Sequence, residues 1–509
     1  MVSSTRVYNW YICMVAATCM VLYGYDASVF NAAQGSANWL NYFDLHKQND
    51  AYLIGLVNTA YTIGAIVGGF FMAGPLADYC GRRVGMASGC VLVIIATFMQ
   101  AFAPRHNLGC FIGGRVLIGI GQGLSLTAGA TYISEVAPSE IRGTIMTFWQ
   151  LNYSVGSFIA YWIAYATSLN VEKLGDWDWK LVVIFQLLCP VMICSLIFLQ
   201  PESPRWWIQR HNDVAKCRAA LTKIRDTEAE IEDEVLAIRE AIEFEKEAIS
   251  HSYWALFKDP SVRRRLWLAF ALNIGQQLSG QGTLNSYSTS IYSKVWDSKQ
   301  TINLINALNA TCGILFTLNA AWTADRFGRR WLLIFGAVGM AVSIGIVAIV
   351  AGATPSTESG AKSQPVGIAI VFLLFLFIFF YKPSWGATVW IWTAEVFSVN
   401  VRAQAVGMCS QMQNVANTVF QQFFPVFLAR EGLKCLYFFM AVNVLLAVFV
   451  WFLVPETKQV SLEEIDVLFG GQNHVEKGGQ MMGVPDPHHQ ATETMDEKAA
   501  VETREVRSV

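Results

Sequence analysis

Twelve apolar stretches, each long enough to cross a membrane as a helix, dominate this chain of 509 residues. A membrane-spanning helix needs about 20 mostly apolar residues. The stretches lie at about 10–30, 52–73, 84–103, 108–133, 144–166, 180–199, 264–291, 302–322, 331–351, 366–393, 404–428 and 434–454. Charged residues make up only 15% of the chain, against roughly 25% in soluble proteins. We therefore expect an all-α, multi-pass membrane protein and not a soluble enzyme, a coiled coil or a disordered chain.

Two polar regions divide the chain. Residues 201–262 are too polar to enter a bilayer, and Glu, Ala and Ile recur there at helical spacing, which predicts amphipathic helices at the membrane surface. The tail loses this apolar periodicity and is predicted to be mostly disordered. The predicted domains are a six-helix bundle at 1–200, a cytoplasmic helical linker at 201–262, a second six-helix bundle at 263–455 and a cytoplasmic tail at 456–509.

Basic residues in the short loops indicate the orientation. One set falls in alternate loops, on the same side as residues 201–262 and both termini: Arg82, Arg83, Arg142, Arg326, Arg329, Arg330 and Arg402. The opposite loops hold only scattered basic residues. By the positive-inside rule, both termini are expected to be cytoplasmic, and the plasma membrane is the expected location. The whole chain has 36 basic and 38 acidic residues, which gives no indication of a nucleic-acid partner.

Three short motifs occur twice, about 250 residues apart. GPLADYCGRRVG at 74–85 corresponds to ADRFGRRWLL at 324–333. SEVAPSEIRG at 134–143 corresponds to AEVFSVNVRAQ at 394–404, and PESPRWW at 201–207 to PETKQVSLEE at 455–464. Two parallel halves with a site between them are typical of a secondary transporter.

These doubled motifs resemble those of the sugar porter family of the major facilitator superfamily, over about residues 10–470. The resemblance implies two pseudo-symmetric six-helix bundles, transport by alternating access, a lipid bilayer around the chain, no cofactor and a functional monomer. Charged residues at helix ends are expected to latch the two halves together when the cytoplasmic gate is closed. Charges that serve only to set the orientation in the membrane would explain the arginines but not the recurring acidic residues. The expected gate residues are Asp78, Arg82, Arg83, Glu135, Arg142, Glu202, Arg205, Asp325, Arg329, Arg330, Glu395, Arg402 and Glu456.

Two ionisable residues, Asp26 in LYGYDASVF and Arg115 in GGRVLIGIGQG, interrupt apolar stretches. A charge inside a membrane costs about 2.5–3.5 kcal/mol even on insertion scales. A buried aspartate beside an arginine stays ionised, whereas separating the two favours protonation. In the family that this chain resembles, matching residues couple proton binding to sugar binding, which implies symport with H+. The alternative is that both side chains are solvated among lipid headgroups.

Amides and an aromatic ring at family positions are expected to bind the substrate. A sugar needs bidentate hydrogen-bonding groups and an aromatic face for its CH surface. A single buried glutamine is more often a contact between helices, but several at family positions favour ligand binding. The expected residues are Gln150, Gln276, Gln277, Gln281, Asn285, Tyr287, Trp390, Gln413 and Asn414.

Four positions depart from the family pattern. Gly282 replaces an asparagine in the seventh helix, Ala387 and Val389 replace two prolines in the tenth, and Asn414 replaces a tryptophan. The identity of the substrate is therefore open.

The predicted function is proton-coupled uptake of a sugar or polyol. One alternative is a transporter of another hydroxylated metabolite, either a quinate-like acid or a secondary metabolite, working in either direction. A second is a sugar sensor that does not transport, although such sensors typically carry longer tails. The chain has no Walker lysine and no metal-ligand spacing, so no enzyme activity and no metal are expected. Nearly all of the eleven cysteines lie inside apolar stretches and are interpreted as small buried apolar residues.

Overall fold

The computed structural model describes residues 4–45, 50–248, 260–355, 362–397 and 399–458, together with Phe257 and Phe469. Within these residues the chain forms twelve long helical segments, one for each predicted stretch. They are α1 (Ser4–Gln34), α2 (Ala51–Cys80), α3 (Arg82–Ala101), α4 (Leu108–Val136), α5 (Ser139–Ser168), α6 (Trp177–Leu199), α7 (Pro260–Leu278, continued by Gln281–Ser286 and Ser288–Tyr292), α8 (Lys299–Phe327), α9 (Arg329–Ala353), α10 (Gln364–Glu395), α11 (Val399–Glu431) and α12 (Leu436–Leu453).

Hydropathy supports the membrane assignment. Within the described ranges, nine helical stretches are long and apolar enough to span a bilayer, and the last of them, Gln404–Leu453, contains parts of both α11 and α12. Large apolar side chains also cover the outside of the bundle, where lipid tails can solvate them. Phe71, Leu199, Phe372, Leu445 and Phe452 are each at least 65% exposed.

Breaks in three helices distinguish them from plain membrane spans. Gly280 interrupts α7 with φ of 101°, and a Cβ atom there would lie 2.7 Å from the Phe439 ring. Only glycine tolerates this combination of backbone angle and close packing. α2 is π-helical over Val67–Met72 and α10 over Lys382–Thr388. Such breaks are frequent at functional sites because they redirect backbone carbonyl groups.

The polar linker forms three helices, Pro204–His211, Val214–Leu221 and Glu228–Ala248, as its periodicity predicts. Their apolar faces pack beneath the first six helices, in the same cluster of buried side chains as the start of α1. The side chain of Asn9 also donates to the backbone oxygen of Ile224 at 2.8 Å. Apart from residues 456–458 and Phe469, the tail that is predicted to be mostly disordered lies outside the described residues. The domain boundaries remain a prediction.

Among the described residues, the most extensive packing between the two sets of six helices involves three pairs. α2 contacts α11, α5 contacts α8, and α1 contacts the last segments of α7. Each set also has its own apolar core, the larger one formed mainly by α7–α12. We call the side that carries Arg82 and Arg329 proximal, and the opposite side distal.

Candidate transport site and gate

Asp26 and Arg115 meet inside the first six helices, and both are 0% exposed. Asp26 lies near the distal end of α1 and Arg115 near the distal end of α4, so both are roughly 10–12 Å from that end. Nη1 of Arg115 donates to the backbone oxygen of Asp26 at 3.3 Å. Neither carboxylate oxygen of Asp26 accepts a hydrogen bond from a residue that the structure describes. The two residues are therefore neighbours whose contact runs through the backbone.

Aromatic rings surround the guanidinium group of Arg115. Its Cζ atom lies 4.6 Å from the ring centre of Tyr61 on α2 and 5.6 Å from that of Phe30 on α1. Gln186 on α6 lies beside the Asp26 carboxyl group. Cation–π contacts of this kind are worth about 2 kcal/mol when they are desolvated. Arg115 is thus held in the membrane interior by more than its contact with Asp26.

Predicted amides come together where α7, α10 and α11 meet. Gln276 is 2% exposed. Its Nε2 donates to the backbone oxygen of Trp385 at 2.6 Å, and its Oε1 accepts from Nε2 of Gln413 at 2.7 Å. The carbonyl of Trp385 is available because this part of α10 is π-helical. Gln277 lies next to Gly282, where any Cβ atom would be 2.7 Å from its Oε1 atom. The absence of a side chain at Gly282 therefore leaves room for Gln277.

A small cavity of about 20 Å³ lies between α7, α8 and α10, which is enough for one water molecule. Gln281, Asn285, Ser288 and Asn309 contribute to its polar lining. Oε1 of Gln281 and Oδ1 of Asn309 are buried, and neither has a hydrogen-bond partner among the described residues. Both can accept hydrogen bonds from hydroxyl groups. Asn309 was missed by sequence reasoning, although an amide within an apolar stretch was the available signal.

The structure describes the side chains of three further expected substrate residues. The Tyr287 hydroxyl donates to the backbone oxygen of Gln421 at 2.7 Å, so it links α7 to α11. Nδ2 of Asn414 donates to Oε1 of Gln411 on the same helix, at 3.5 Å. Trp390 is half-buried on α10. The side chain of Gln150 lies outside the described residues, and its role remains a prediction.

Lys382 is a second residue that sequence reasoning missed. It begins the π-helical part of α10, and its Nζ lies 3.4 Å from Oγ of Ser154 and 5.8 Å from the ring centre of Tyr153. Both of these residues belong to α5. Tyr153 in turn packs against Tyr23 of α1, with 5.1 Å between ring centres. Lys382 thus lies where the two sets of six helices face each other.

The gate residues of the first set form a compact network on the proximal side. The carboxylate of Glu202 accepts from the backbone nitrogens of Arg82 and Arg83, each at 3.2 Å. The Arg82 guanidinium binds both carboxylate oxygens of Glu135, at 2.9 and 3.0 Å, and lies 3.3 Å from Asp78. Glu202 therefore caps the start of α3, where the helix dipole favours a negative charge.

The second set repeats this arrangement. Glu456 accepts from the backbone nitrogens of Arg329 and Arg330 at 2.8 and 3.0 Å, and so caps the start of α9. Arg329 pairs with Glu395 at 2.7 Å. Glu395 also accepts from the Thr457 hydroxyl at 2.6 Å. The doubled sequence motifs thus correspond to doubled contacts.

A glycine makes each cap possible. Gly81 has φ of 97° and Gly328 has φ of 84°. Cβ atoms at these two positions would lie 2.6 Å from Glu202 and 2.8 Å from Glu456. The chain can therefore turn into α3 and α9 while the carboxylate stays against the new helix.

These gate contacts join elements within one set of six helices or the segment that follows it. The side chains of Arg142, Asp325 and Arg402 lie outside the described residues, and Arg205 is half-buried. A latch between the two halves therefore remains a prediction.

The distal side, by contrast, is joined by hydrogen bonds between the halves. Nδ2 of Asn31 on α1 donates to Oγ of Ser288 at 2.7 Å. Nε1 of Trp162 on α5 donates to Oγ1 of Thr311 on α8 at 3.1 Å. We call these four residues the distal seam. The two halves are thus held together on the distal side.

Known proteins resemble this chain along most of its length. A probable quinate permease of Aspergillus fumigatus is 30% identical over 489 residues, which cover 91% of this chain and 88% of the relative. A quinate permease of Emericella nidulans is 30% identical over 486 residues, which cover 91% of this chain and 89% of the relative. The inward-open xylose transporter XylE from E. coli superposes with a TM-score of 0.75, at 24% identity, over 91% of this chain and 100% of XylE.

The family model described as "Sugar (and other) transporter" matches residues 12–469. This match confirms the predicted relationship to the sugar porters, and the likeness to XylE confirms the twelve-helix fold. Both the family and the fold are those of transporters. The chain therefore belongs to the Sugar (and other) transporter family and is a multi-pass membrane protein of the major facilitator fold.

Proposed function

We propose that this protein takes up a sugar or polyol together with a proton, by exposing a central site to the two sides of the membrane in turn. Its family supports a sugar-like substrate. A D-xylose–proton symporter has the same fold, with a TM-score of 0.70. The observation that carries proton coupling is the buried Asp26 carboxylate, which lies beside Arg115 and accepts no hydrogen bond from a described residue.

Proton binding follows from the electrostatics of this pair. A carboxylate that is buried away from water is stabilised by taking up a proton unless a close ion pair stabilises its charge. A small movement of α4 relative to α1 would turn the Arg115 guanidinium from the backbone oxygen of Asp26 to the carboxylate itself. The ion pair would then stabilise the charged form and release the proton. Helix movement and proton binding are coupled in this way.

Substrate binding is assigned to the amides of the second half. A pair of sugar hydroxyls can replace the hydrogen bond between Gln276 and Gln413, because each amide offers both a donor and an acceptor. Gln277, Gln281 and Asn309 extend this polar surface. The half-buried ring of Trp390 offers an aromatic face for the apolar side of the substrate.

The proposed orientation has the proximal loops and both termini in the cytoplasm, in keeping with the positive-inside rule. The distal seam is then on the outside, and the two halves are held together on the side of the external medium. The plasma membrane is the proposed location. A single chain is the proposed functional unit, because one chain supplies both the Asp26–Arg115 pair and the amides. We propose no enzyme activity for this protein.

A hydroxylated acid is the second candidate substrate. The two fungal relatives at 30% identity are described as quinate permeases, and quinate combines ring hydroxyls with one carboxylate. The amides that suit a sugar would suit its hydroxyls equally well. Export of a secondary metabolite and sugar sensing without transport are the remaining alternatives.

Uptake by cells that lack hexose carriers tests the proposal. Cells expressing the full chain would be given labelled glucose, sorbitol and quinate, with and without a protonophore. We expect at least one compound to accumulate above its external concentration and the protonophore to abolish this accumulation. Accumulation that survives the protonophore would contradict proton coupling. Specific binding without uptake would instead identify a sensor.

A further inference from the structure

Lys382 lies deep within a membrane-spanning helix. It is more than ten residues from either end of α10, which runs from Gln364 to Glu395, so it is over about 15 Å from both ends. A lysine at such a depth costs about 2.5–3.5 kcal/mol even on insertion scales. Intramembrane cations normally pair with a carboxylate or line a polar pathway. The surroundings of Lys382 therefore indicate what it binds.

No carboxylate of the described residues lies within 4.0 Å of the Lys382 ammonium group. Its contacts are a long hydrogen bond of 3.4 Å to the Ser154 hydroxyl and a ring 5.8 Å away, that of Tyr153. An ammonium group has three strong donors. Two neutral contacts therefore leave most of its hydrogen-bonding capacity for a ligand.

The position of Lys382 between the two halves favours a ligand that binds between them. Its contacts cross from α10 to α5, which belong to different halves. The preceding residue, Tyr381, lies beside Gln276 and near Tyr23 of α1. The π-helical turn that starts at Lys382 also supplies the Trp385 carbonyl that Gln276 binds. Lys382 and the carbonyl that Gln276 binds thus belong to one stretch of α10.

We propose that Lys382 binds the carboxylate of the transported substrate, which selects the second candidate of the proposed function, a polyhydroxylated monocarboxylate, over a neutral sugar. This inference rests on the proposed function, because it takes the amides around Gln276 as the site for the hydroxyl groups. A neutral sugar would leave the ammonium group without a counter-ion in the membrane interior. A sugar acid or a hydroxylated cyclic acid supplies that counter-ion and keeps the same hydroxyl contacts.

Charge movement follows from this assignment. A monocarboxylate that enters with one proton carries no net charge across the membrane, whereas a neutral sugar with one proton carries one positive charge. Moving one charge against 100 mV is worth about 2.3 kcal/mol. Uptake of the acid should therefore respond little to membrane potential.

The test uses the full chain, purified and reconstituted in liposomes with a proton gradient. Labelled quinate is the anionic probe, its methyl ester is the neutral competitor of similar shape, and labelled glucose is the sugar probe. The variants are Lys382→Met, which removes the charge at similar length, and Lys382→Arg, which keeps it. Lys434→Met, in the short helix at the distal end of α11, is the matched control because its side chain is exposed.

We expect wild type to take up quinate and to prefer it to the ester. Lys382→Met should raise the half-saturation concentration for quinate at least about tenfold, as expected for a lost charge-assisted hydrogen bond, and should remove the preference over the ester. Lys382→Arg should keep the half-saturation concentration and the preference over the ester within about threefold of wild type. Lys434→Met should match wild type. An inside-negative potential should leave quinate uptake by wild type unchanged.

Two results would overturn the proposal. One is an unchanged preference for quinate over its ester in Lys382→Met. The other is proton-driven glucose uptake by a wild-type protein that ignores quinate, which would leave the proposed function intact. Failure to take up any of the probes would instead count against both. If Lys382→Met inserts poorly, calorimetric binding of quinate and its ester to detergent-purified Lys382→Gln provides the same comparison.

Discussion

Single charges inside apolar helices indicate three residues of the candidate site. Asp26 and Arg115 stand out in the sequence because a charge there is costly. The orientation of Arg115 towards the backbone oxygen of Asp26 could not be predicted, since it depends on how α1 and α4 pack. Lys382 gives an equally clear signal in LLFLFIFFYKPSW. It was missed because it lies outside the motifs that carry the family resemblance.

At Asp26 we expect the substitution Asp26→Asn to abolish uphill accumulation while leaving exchange partly intact. Asparagine keeps the size of the side chain but cannot bind and release a proton. The measurement compares proton-driven uptake with counterflow in preloaded liposomes. Concentrative uptake at the wild-type level in this variant would contradict symport through Asp26.

At Gln276 we expect Gln276→Ala to raise the half-saturation concentration of the substrate about tenfold, because one hydrogen bond is worth roughly 0.5–1.5 kcal/mol and an orphaned partner adds to the loss. Trp390→Ala should act in the same direction through lost stacking. Gln209→Ala, at an exposed position of the linker, serves as the control. Unaltered half-saturation in both site variants would move the substrate site elsewhere.

Helices are the scale at which sequence reasoning was most reliable. Each predicted stretch coincides with one helix, although α1 extends from Ser4 to Gln34 where hydropathy indicated about 10–30. Hydropathy marks only the hydrocarbon core, whereas the helix continues beyond it. The π-helical parts of α2 and α10 could not be predicted, because their residues keep an ordinary apolar pattern. The break in α7 had a visible signal in Gly280.

The doubled caps lead to a prediction at the level of helix ends. Glu202→Gln should lower the stability of the purified protein by about 1.5–3 kcal/mol, the range for hydrogen bonds to a charged group, and Glu456→Gln should behave alike. The midpoint of thermal unfolding in detergent measures this effect. Glu228→Gln, at the exposed start of a linker helix, is the control. Equal midpoints for all three variants would show that the caps contribute little.

At the scale of the whole molecule, the order of the twelve helices and the doubled motifs could be predicted from the sequence. Each membrane span and each copy of a motif is recognised from a short run of neighbouring residues. The side on which the two halves are held together could not be predicted from the sequence. This depends on contacts between distant helices, such as Asn31 with Ser288, and each of these residues looks like an ordinary polar residue in its own stretch. The family resemblance fixed the fold but not the arrangement of the halves.

The orientation of the whole molecule can be tested with its cysteines. Cys80, at the proximal end of α2, is exposed, whereas Cys217 in the linker is buried. Burial raises the pKa of the Cys217 thiol to about 11, so its reactive thiolate is scarce at pH 7.5 and increases only as the pH rises towards that value. An impermeant maleimide should label Cys80 in inside-out vesicles but not in intact cells, with Cys80→Ser as the control. Labelling of Cys80 in intact cells would reverse the proposed orientation.

The distal seam has a consequence for the kinetics of the transport cycle. A carrier that has released its cargo must break the contacts at Ser288 and Thr311 before it can face outwards again, and no bound molecule helps it to do so. A carrier that binds substrate on the inner side can return with it. Contacts with the substrate then offset the free energy that breaking the distal seam costs. Return of the unloaded carrier is then the slow step, so unlabelled substrate on the inner side should accelerate entry of labelled substrate, the behaviour known as trans-acceleration.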